Sequence, residues 1–201
     1  MTGLILKDVY TILKQAKLFL LVAMVMLLVQ NDFMLSYIIC YAAMLPITAL
    51  GYDEWAKWNK LADMLPYTIT ELVGSKYIIG YLSIGAAALT AVVFKCFYIL
   101  IGKSSFSQDY WIIFCLIICA ALMIQAVTLP LMFWLGVERG RLLFIIVVVA
   151  AAFVFSTVIL DNLNTARQVS PFLLLSLALT VTFILQLISF GISKIAYRHS
   201  C

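Results

Sequence analysis

The sequence predicts an all-α integral membrane protein with six transmembrane helices, on three observations. Of its 201 residues 66% are hydrophobic and 11% charged, its mean hydropathy is +1.14, and its apolar residues gather into six long runs. A chain of this composition lacks the polar side chains to clothe a soluble domain. A helix crosses the hydrocarbon with roughly 20 apolar residues. The runs are Leu18 to Val29, Met34 to Gly51, Tyr77 to Ile101, Tyr110 to Leu135, Leu142 to Leu160 and Pro171 to Ser193. Short connections and the absence of an internal repeat predict a single domain over 1–201.

The first run is short, and it reaches spanning length if its helix begins near Ile12 and Lys14 and Lys17 snorkel to the headgroups. Ahead of it Leu4, Leu6, Val9, Ile12 and Leu13 interleave with Lys7, Asp8 and Lys14. That amphipathic segment either lies along the membrane surface as an elbow or extends the first span into solvent. Gln30-Asn31-Asp32 is a polar turn that joins the first two spans as a hairpin. Pro46 and Pro130 fall inside the second and fourth runs, where a lost backbone hydrogen bond gives a static bend or a hinge. Ser170-Pro171 places a capping hydroxyl before a proline at the first helical position of the last span.

Between the second and third runs stands a charged island, Tyr52 to Lys76. Trp55, Trp58, Leu61, Ala62 and Leu65 recur there at three- and four-residue intervals and predict one apolar stripe on a helix over 52–66. Asp53 and Lys57 are spaced to form a supporting ion pair. Pro66 ends this helix, and Thr68-Ile69-Thr70-Glu71 is a capping box that starts the next. Such a helix meets a soluble partner or lies with its tryptophans in the headgroups.

Positive residues are retained on the cytoplasmic side, and their distribution predicts that both termini lie there. Lys7, Lys14 and Lys17 precede the first run, Lys57, Lys60 and Lys76 follow the second, Arg139 and Arg141 follow the fourth, and Lys194 and Arg198 follow the sixth. The alternate connections hold only Lys103 and Arg167, while Lys95 sits near the outer end of the third run and can snorkel. The net charge of +4 is thus explained by topology, with no nucleic-acid partner. The start lacks the basic cluster, apolar stretch and small-residue cleavage site of a signal peptide.

The residues supply no chemistry of their own. The single histidine, His199, lies outside the apolar runs, which excludes a histidine-bearing metal site or proton relay in the bilayer. No acidic residue falls near a midplane, as ion-coupled carriers normally require. Cys115 and Cys119 share a helix face without a histidine or carboxylate beside them, so they read as packing residues. Gly102-Lys103-Ser104 lacks the earlier glycine of a phosphate loop, Phe97 standing in its place. The expectation is a chain without catalytic residues, cofactor or metal.

The opening Leu-Ile-Leu-Lys-Asp-Val-Tyr (4–10), Tyr-Asp-Glu (52–54), Lys-Trp-Asn-Lys-Leu-Ala-Asp-Met-Leu-Pro-Tyr-Thr (57–68) and Glu-Leu-Val-Gly-Ser-Lys-Tyr (71–77) resemble the membrane subunit of type-2 ATP-binding-cassette exporters. They are most similar to the small bacterial six-span permeases related to bacitracin-resistance and phenol-soluble-modulin exporters. Where those permeases commonly carry Ser-Leu-Pro, this chain has Asp63-Met64-Leu65-Pro66.

The resemblance implies an elbow helix over 1–17 and a coupling helix that docks on a separate ATPase. Its contact residues would be Asp53, Glu54, Trp55, Lys57, Trp58, Lys60, Leu61 and Leu65, with Glu138, Arg139 and Arg141 as a secondary contact. It also implies two ATPase subunits that carry ATP and Mg, and a second permease copy in a homodimer or heterodimer. The setting would be the lipid of the bacterial plasma (inner) membrane, and the cargo amphipathic or hydrophobic: a peptide toxin, an antimicrobial peptide or a lipid-like compound. Such export would confer antimicrobial resistance. The opposing expectation is a membrane immunity or scaffold protein that sequesters a toxic peptide without pumping.

Overall fold

The computed structural model describes residues 2–15, 38–62, 64–65, 67–101, 108–146 and 171–200, and every described element is helical. The elements are α1 (Thr2–Gln15), α2 (Leu45–Trp55), α3 (Trp58–Ala62), α4 (Ile69–Leu100), α5 (Gln108–Leu135), α6 (137–146) and α7 (Pro171–Ser200). A further helical run covers 38–42, just ahead of α2. Among the described residues three helices are long and apolar enough to cross a membrane: Ile69–Leu100, Tyr110–Leu135 and Phe172–Arg198. These correspond to the third, fourth and sixth expected spans. The first span, the Gln30-Asn31-Asp32 turn, Gly102 to Ser104, Ser170 and most of the fifth span lie outside the described residues.

The three long helices are tied in a fixed register by side chains inside the apolar layer. Gln186 donates to the Leu122 carbonyl at 2.9 Å, Ser189 donates to the Ala126 carbonyl at 2.6 Å, and Phe133 meets Tyr197 edge to face at 5.8 Å. Those pairs advance together in number, so α5 and α7 run parallel. α4 opposes them: Tyr81 pairs with Gln186, whereas the earlier Tyr77 pairs with Ser189 and Ser193. Small residues let the backbones approach, with Ala42, Ala43, Ala87, Ala91 and Ala121 all buried in one core with Ile39, Ile84 and Phe114.

Pro130 sits within an unbroken α5. Proline has no N–H to give the carbonyl four residues earlier, and that carbonyl belongs to Ala126, the one Ser189 supplies. Because Ser189 spends its only proton there, Tyr77 donates to Ser189 at 2.5 Å and Ser193 donates to Tyr77 at 2.9 Å. Pro46 behaves differently from the expected bend within a span. It occupies the first turn of α2, and the chain breaks helical form at Ala43 and Met44 just before it. A proline is pre-set for a helix start, so here it opens a new helix.

A second core closes one end of the bundle. Leu4 of α1, Ala62 of α3, Leu72, Val73 and Tyr77 of α4, Leu129 and Phe133 of α5, and Ala196 and Tyr197 of α7 are buried together. The first and last described helices thereby meet the island at the same end. α4 has 32 residues, about 48 Å at 1.5 Å per residue, against roughly 30 Å of hydrocarbon. Its opening turns therefore stand outside the apolar layer, which leaves room for the charges of the island. At the other end Lys95 places its ammonium 4.1 Å from the Tyr110 ring centroid.

Candidate functional site

The Thr68–Glu71 capping box forms as expected: the Glu71 N–H reaches the Thr68 hydroxyl at 3.3 Å, and the Thr68 N–H reaches the Glu71 carboxylate at 3.1 Å. The helix before it departs from expectation. Instead of one amphipathic helix over 52–66, the chain forms the last turn of α2, a tight turn at Ala56 and Lys57, and the short α3. Ala56 donates to Tyr52 at 2.9 Å and Lys57 to Glu54 at 3.1 Å, while Lys57 takes φ 53. That left-handed residue ends α2, a role glycine usually fills. No ion pair joins Asp53 to Lys57 among the described residues, because Asp53 points inward.

Asp53 belongs to a closed ring of four charges. Lys7 contacts Asp53 at 2.6 Å and Asp8 at 3.1 Å, Lys76 contacts Asp8 at 2.6 Å, and Lys76 also contacts Asp53. Each carboxylate offers one oxygen to each ammonium, so the charges alternate around the ring and sum to zero. Asp8 is 1% exposed, and Asp53 and Lys76 are also buried. Buried ions persist when paired, and among the described residues the ion-pair partners of Asp8, Asp53 and Lys76 are other members of the ring. Lys7 and Asp8 come from α1, Asp53 from α2 and Lys76 from α4. Lys7 additionally lies 4.0 Å from the centroid of the Trp58 ring, extending the ring to α3.

Two of the expected contact residues face into this assembly. Asp53 is consumed inside the protein, and Trp58 is half-buried beneath Lys7. Of the rest of the stripe, Ala62 is buried in the second core, while Trp55, Leu61 and Leu65 face outward. Trp55 is 86% exposed and Leu61 54%, with Leu65 less so. Met64, absent from the expected set, is 84% exposed. Lys57 is exposed, and Lys60 lies on α3, its side chain outside the described residues.

Glu54 brings the two expected contact segments together. Its carboxylate accepts from the Val137 N–H at 2.8 Å and so caps the start of α6. Gly136 permits this: it adopts φ +77, and a Cβ there would stand 3.0 Å from a Glu54 oxygen. Glu138 and Arg139 are exposed beside that cap, whereas the Arg141 guanidinium reaches back over Gly51, 3.3 Å from where a Cβ would be. Trp55, Lys57, Leu61, Met64, Glu138 and Arg139 are thus among the exposed residues of this end, on a base fixed by Glu54 and the ion ring.

α1 presents two faces. Leu4 and Asp8 are buried against the bundle, while Leu6, Tyr10 and Leu13 are exposed along the opposite side. Deeper in the apolar layer a groove of about 630 Å³ runs between α4 and α7, lined by Gly74, Tyr77, Ile78, Tyr81, Thr182, Phe183, Gln186 and Phe190 among others. Gln125 does not line it. Its side chain is fully buried against Gly80, where its amide donates to the Tyr77 carbonyl at 3.2 Å. Among the described residues no group of His, Cys, Asp or Glu is arranged to hold a metal ion.

Sequence reasoning missed the ion ring. Lys76 read as a topological charge and Lys7 and Asp8 as the polar face of an elbow. The available signal was adjacent opposite charges in an otherwise apolar opening segment, with Lys76 directly before Tyr77 at the edge of a long apolar run.

No curated relative and no solved structure matches this chain. A family model described as ABC-2 family transporter protein matches residues 3–198. That match runs from α1 into the last turn of α7, and it agrees with long apolar helices and an amphipathic opening helix. The chain belongs to the ABC-2 transporter family, whose members are membrane-embedded components that work in general with an ATPase.

Proposed function

We propose that this protein is the permease subunit of an ATP-driven exporter in a bacterial plasma membrane, with the island end in the cytoplasm and docked on an ABC ATPase. The observation that supports this reading best is the exposure of Trp55 and Met64, 86% and 84%. They project from an end whose base is locked by the Glu54 cap and the ion ring. Large apolar side chains held out on a rigid, charged end favour burial in a partner's groove. Lys57, Glu138 and Arg139 set the polar rim of that contact. Two ATPase subunits and a second permease copy complete the assembly, ATP and Mg residing on the ATPases.

Closure of the ATPases then pushes on α2 and α3 and moves α4. The proposed cargo is amphipathic or hydrophobic, a peptide toxin, an antimicrobial peptide or a lipid-like compound. The apolar groove between α4 and α7 supports it, with the Tyr81–Gln186 pair as a polar edge. The test is co-expression with the candidate ATPase, detergent purification and assay of ATP hydrolysis. Wild type is expected to co-purify as an active complex, and Trp55→Ala with Met64→Ala to lose it while still reaching the membrane. A well-folded wild type that binds no ATPase would favour passive sequestration of a toxic peptide.

A further inference from the structure

The ion ring divides into two neutral halves. α1 contributes Lys7 and Asp8, one charge of each sign, and the bundle contributes Asp53 from α2 and Lys76 from α4. The contacts that join the halves are Lys7 with Asp53 and Asp8 with Lys76, both at 2.6 Å. Each half is neutral by itself, so it is these two contacts, and no net charge on either side, that tie α1 electrostatically to the bundle. Apolar packing alone does not account for this geometry, because Leu4 anchors α1 while the ring holds the turn that follows it. Asp53 stands two residues before Trp55, the most exposed side chain of the proposed contact. Lys76 stands near the foot of α4, the longest of the described helices.

We propose that Lys7, Asp8, Asp53 and Lys76 form the joint that carries displacement of the island into α4 and α1, acting as positioning residues for the ATP-driven cycle. The proposal rests on the ATPase-docking reading given above. Movement of Trp55 displaces Asp53 at the end of the same helix. Asp53 draws on Lys76 directly and on α1 through Lys7, so α4 and the membrane-facing α1 follow the island together. The exposed Leu6, Tyr10 and Leu13 face keeps α1 on the bilayer surface during that movement.

The test permutes charges at constant net charge. Lys7→Asp with Asp8→Lys puts like charges together at both contacts between the halves, and Asp53→Lys with Lys76→Asp does the same from the other side. All four substitutions together restore opposite signs throughout. Asp8→Asn, which keeps an acceptor for Lys76, serves as a milder variant should either reversal fail to fold. Two readouts are taken: the distance between spin labels at Leu13→Cys and Leu82→Cys in the purified chain without native cysteines, and ATP hydrolysis by the complex with its ATPase.

Each half-reversal is expected to broaden and lengthen the label distance and to lower kcat about tenfold, within the range typical of coupling between sites. Co-purified ATPase and KM for ATP should be unchanged. The fourfold permutation is expected to recover a narrow distance and about half of wild-type kcat, the signature of interacting rather than independent sites. Half-reversals that loosen α1 yet hydrolyse ATP like wild type would overturn the joint, as would a fourfold variant no better than its halves. Failure of wild type to bind an ATPase would overturn the docking reading and transmission with it. The label distances separate that failure from failure of the ring.

Discussion

The Glu54 carboxylate holds the backbone N–H of Val137 at 2.8 Å, joining the end of α2 to the start of α6. A carboxylate at a helix N-terminus satisfies an orphan amide and favours the positive end of the helix dipole. Glu54→Ala is expected to cost about 1 kcal/mol of stability and Glu54→Gln less, since the amide keeps an acceptor oxygen. Thermal unfolding of the purified chain in detergent measures both; equal losses would mean that the charge and not the cap matters.

Gly80 and Gln125 form a notch that admits only one side chain. A Cβ on Gly80 would overlap the Gln125 amide, and overpacking in a closed interior costs about 1–3 kcal/mol. Gly80→Ala should lower the unfolding temperature, and adding Gln125→Ala should recover part of the loss by vacating the space. A double variant no more stable than Gly80→Ala would place the fault in the helix backbone.

Ser189 and Pro130 should show coupling through a residue that neither replaces. Ser189→Ala removes the donor to the Ala126 carbonyl, which Pro130 already deprives of its helical partner. The expected cost is about 1 kcal/mol, typical of interhelical hydrogen bonds in membranes. In a Pro130→Ala background, where the helix supplies its own N–H, the same substitution should cost less. Equal costs in both backgrounds, measured by unfolding in detergent, would contradict this account of the proline.

Lys57 occupies the left-handed position that ends α2. Glycine there avoids the Cβ penalty, so Lys57→Gly should hold or raise stability by about 0.5–1 kcal/mol. The same change removes a rim charge from the proposed ATPase contact, so ATP hydrolysis by the complex should fall while the unfolding temperature does not. A loss of stability would show that the lysine side chain supports the turn.

The long helices were legible because about 20 apolar residues in a row leave a chain few options in water or lipid, and α4, α5 and α7 follow those runs. The Thr68–Glu71 box was legible because both partners lie within one turn of helix. The island was misread where long-range partners overrode local spacing. Asp53 and Lys57 satisfy the helical pairing rule, yet Lys7 and Lys76 capture Asp53 from elsewhere in the chain. The Trp55 and Trp58 stripe likewise dissolved once Lys7 settled over Trp58, and Pro46 proved to be a helix start because the break precedes it. Met64 went unnoticed since a methionine in an apolar sequence carries no signal of exposure.

The most direct test of the central claim is site-specific photocrosslinking at Met64 in membranes that contain the co-expressed ATPase, with Leu89 on the exposed face of α4 as the control position. The account predicts a crosslink to the ATPase from Met64 and none from Leu89. Lipid adducts alone at both positions would contradict it, and would place the island in the headgroups instead of against a partner.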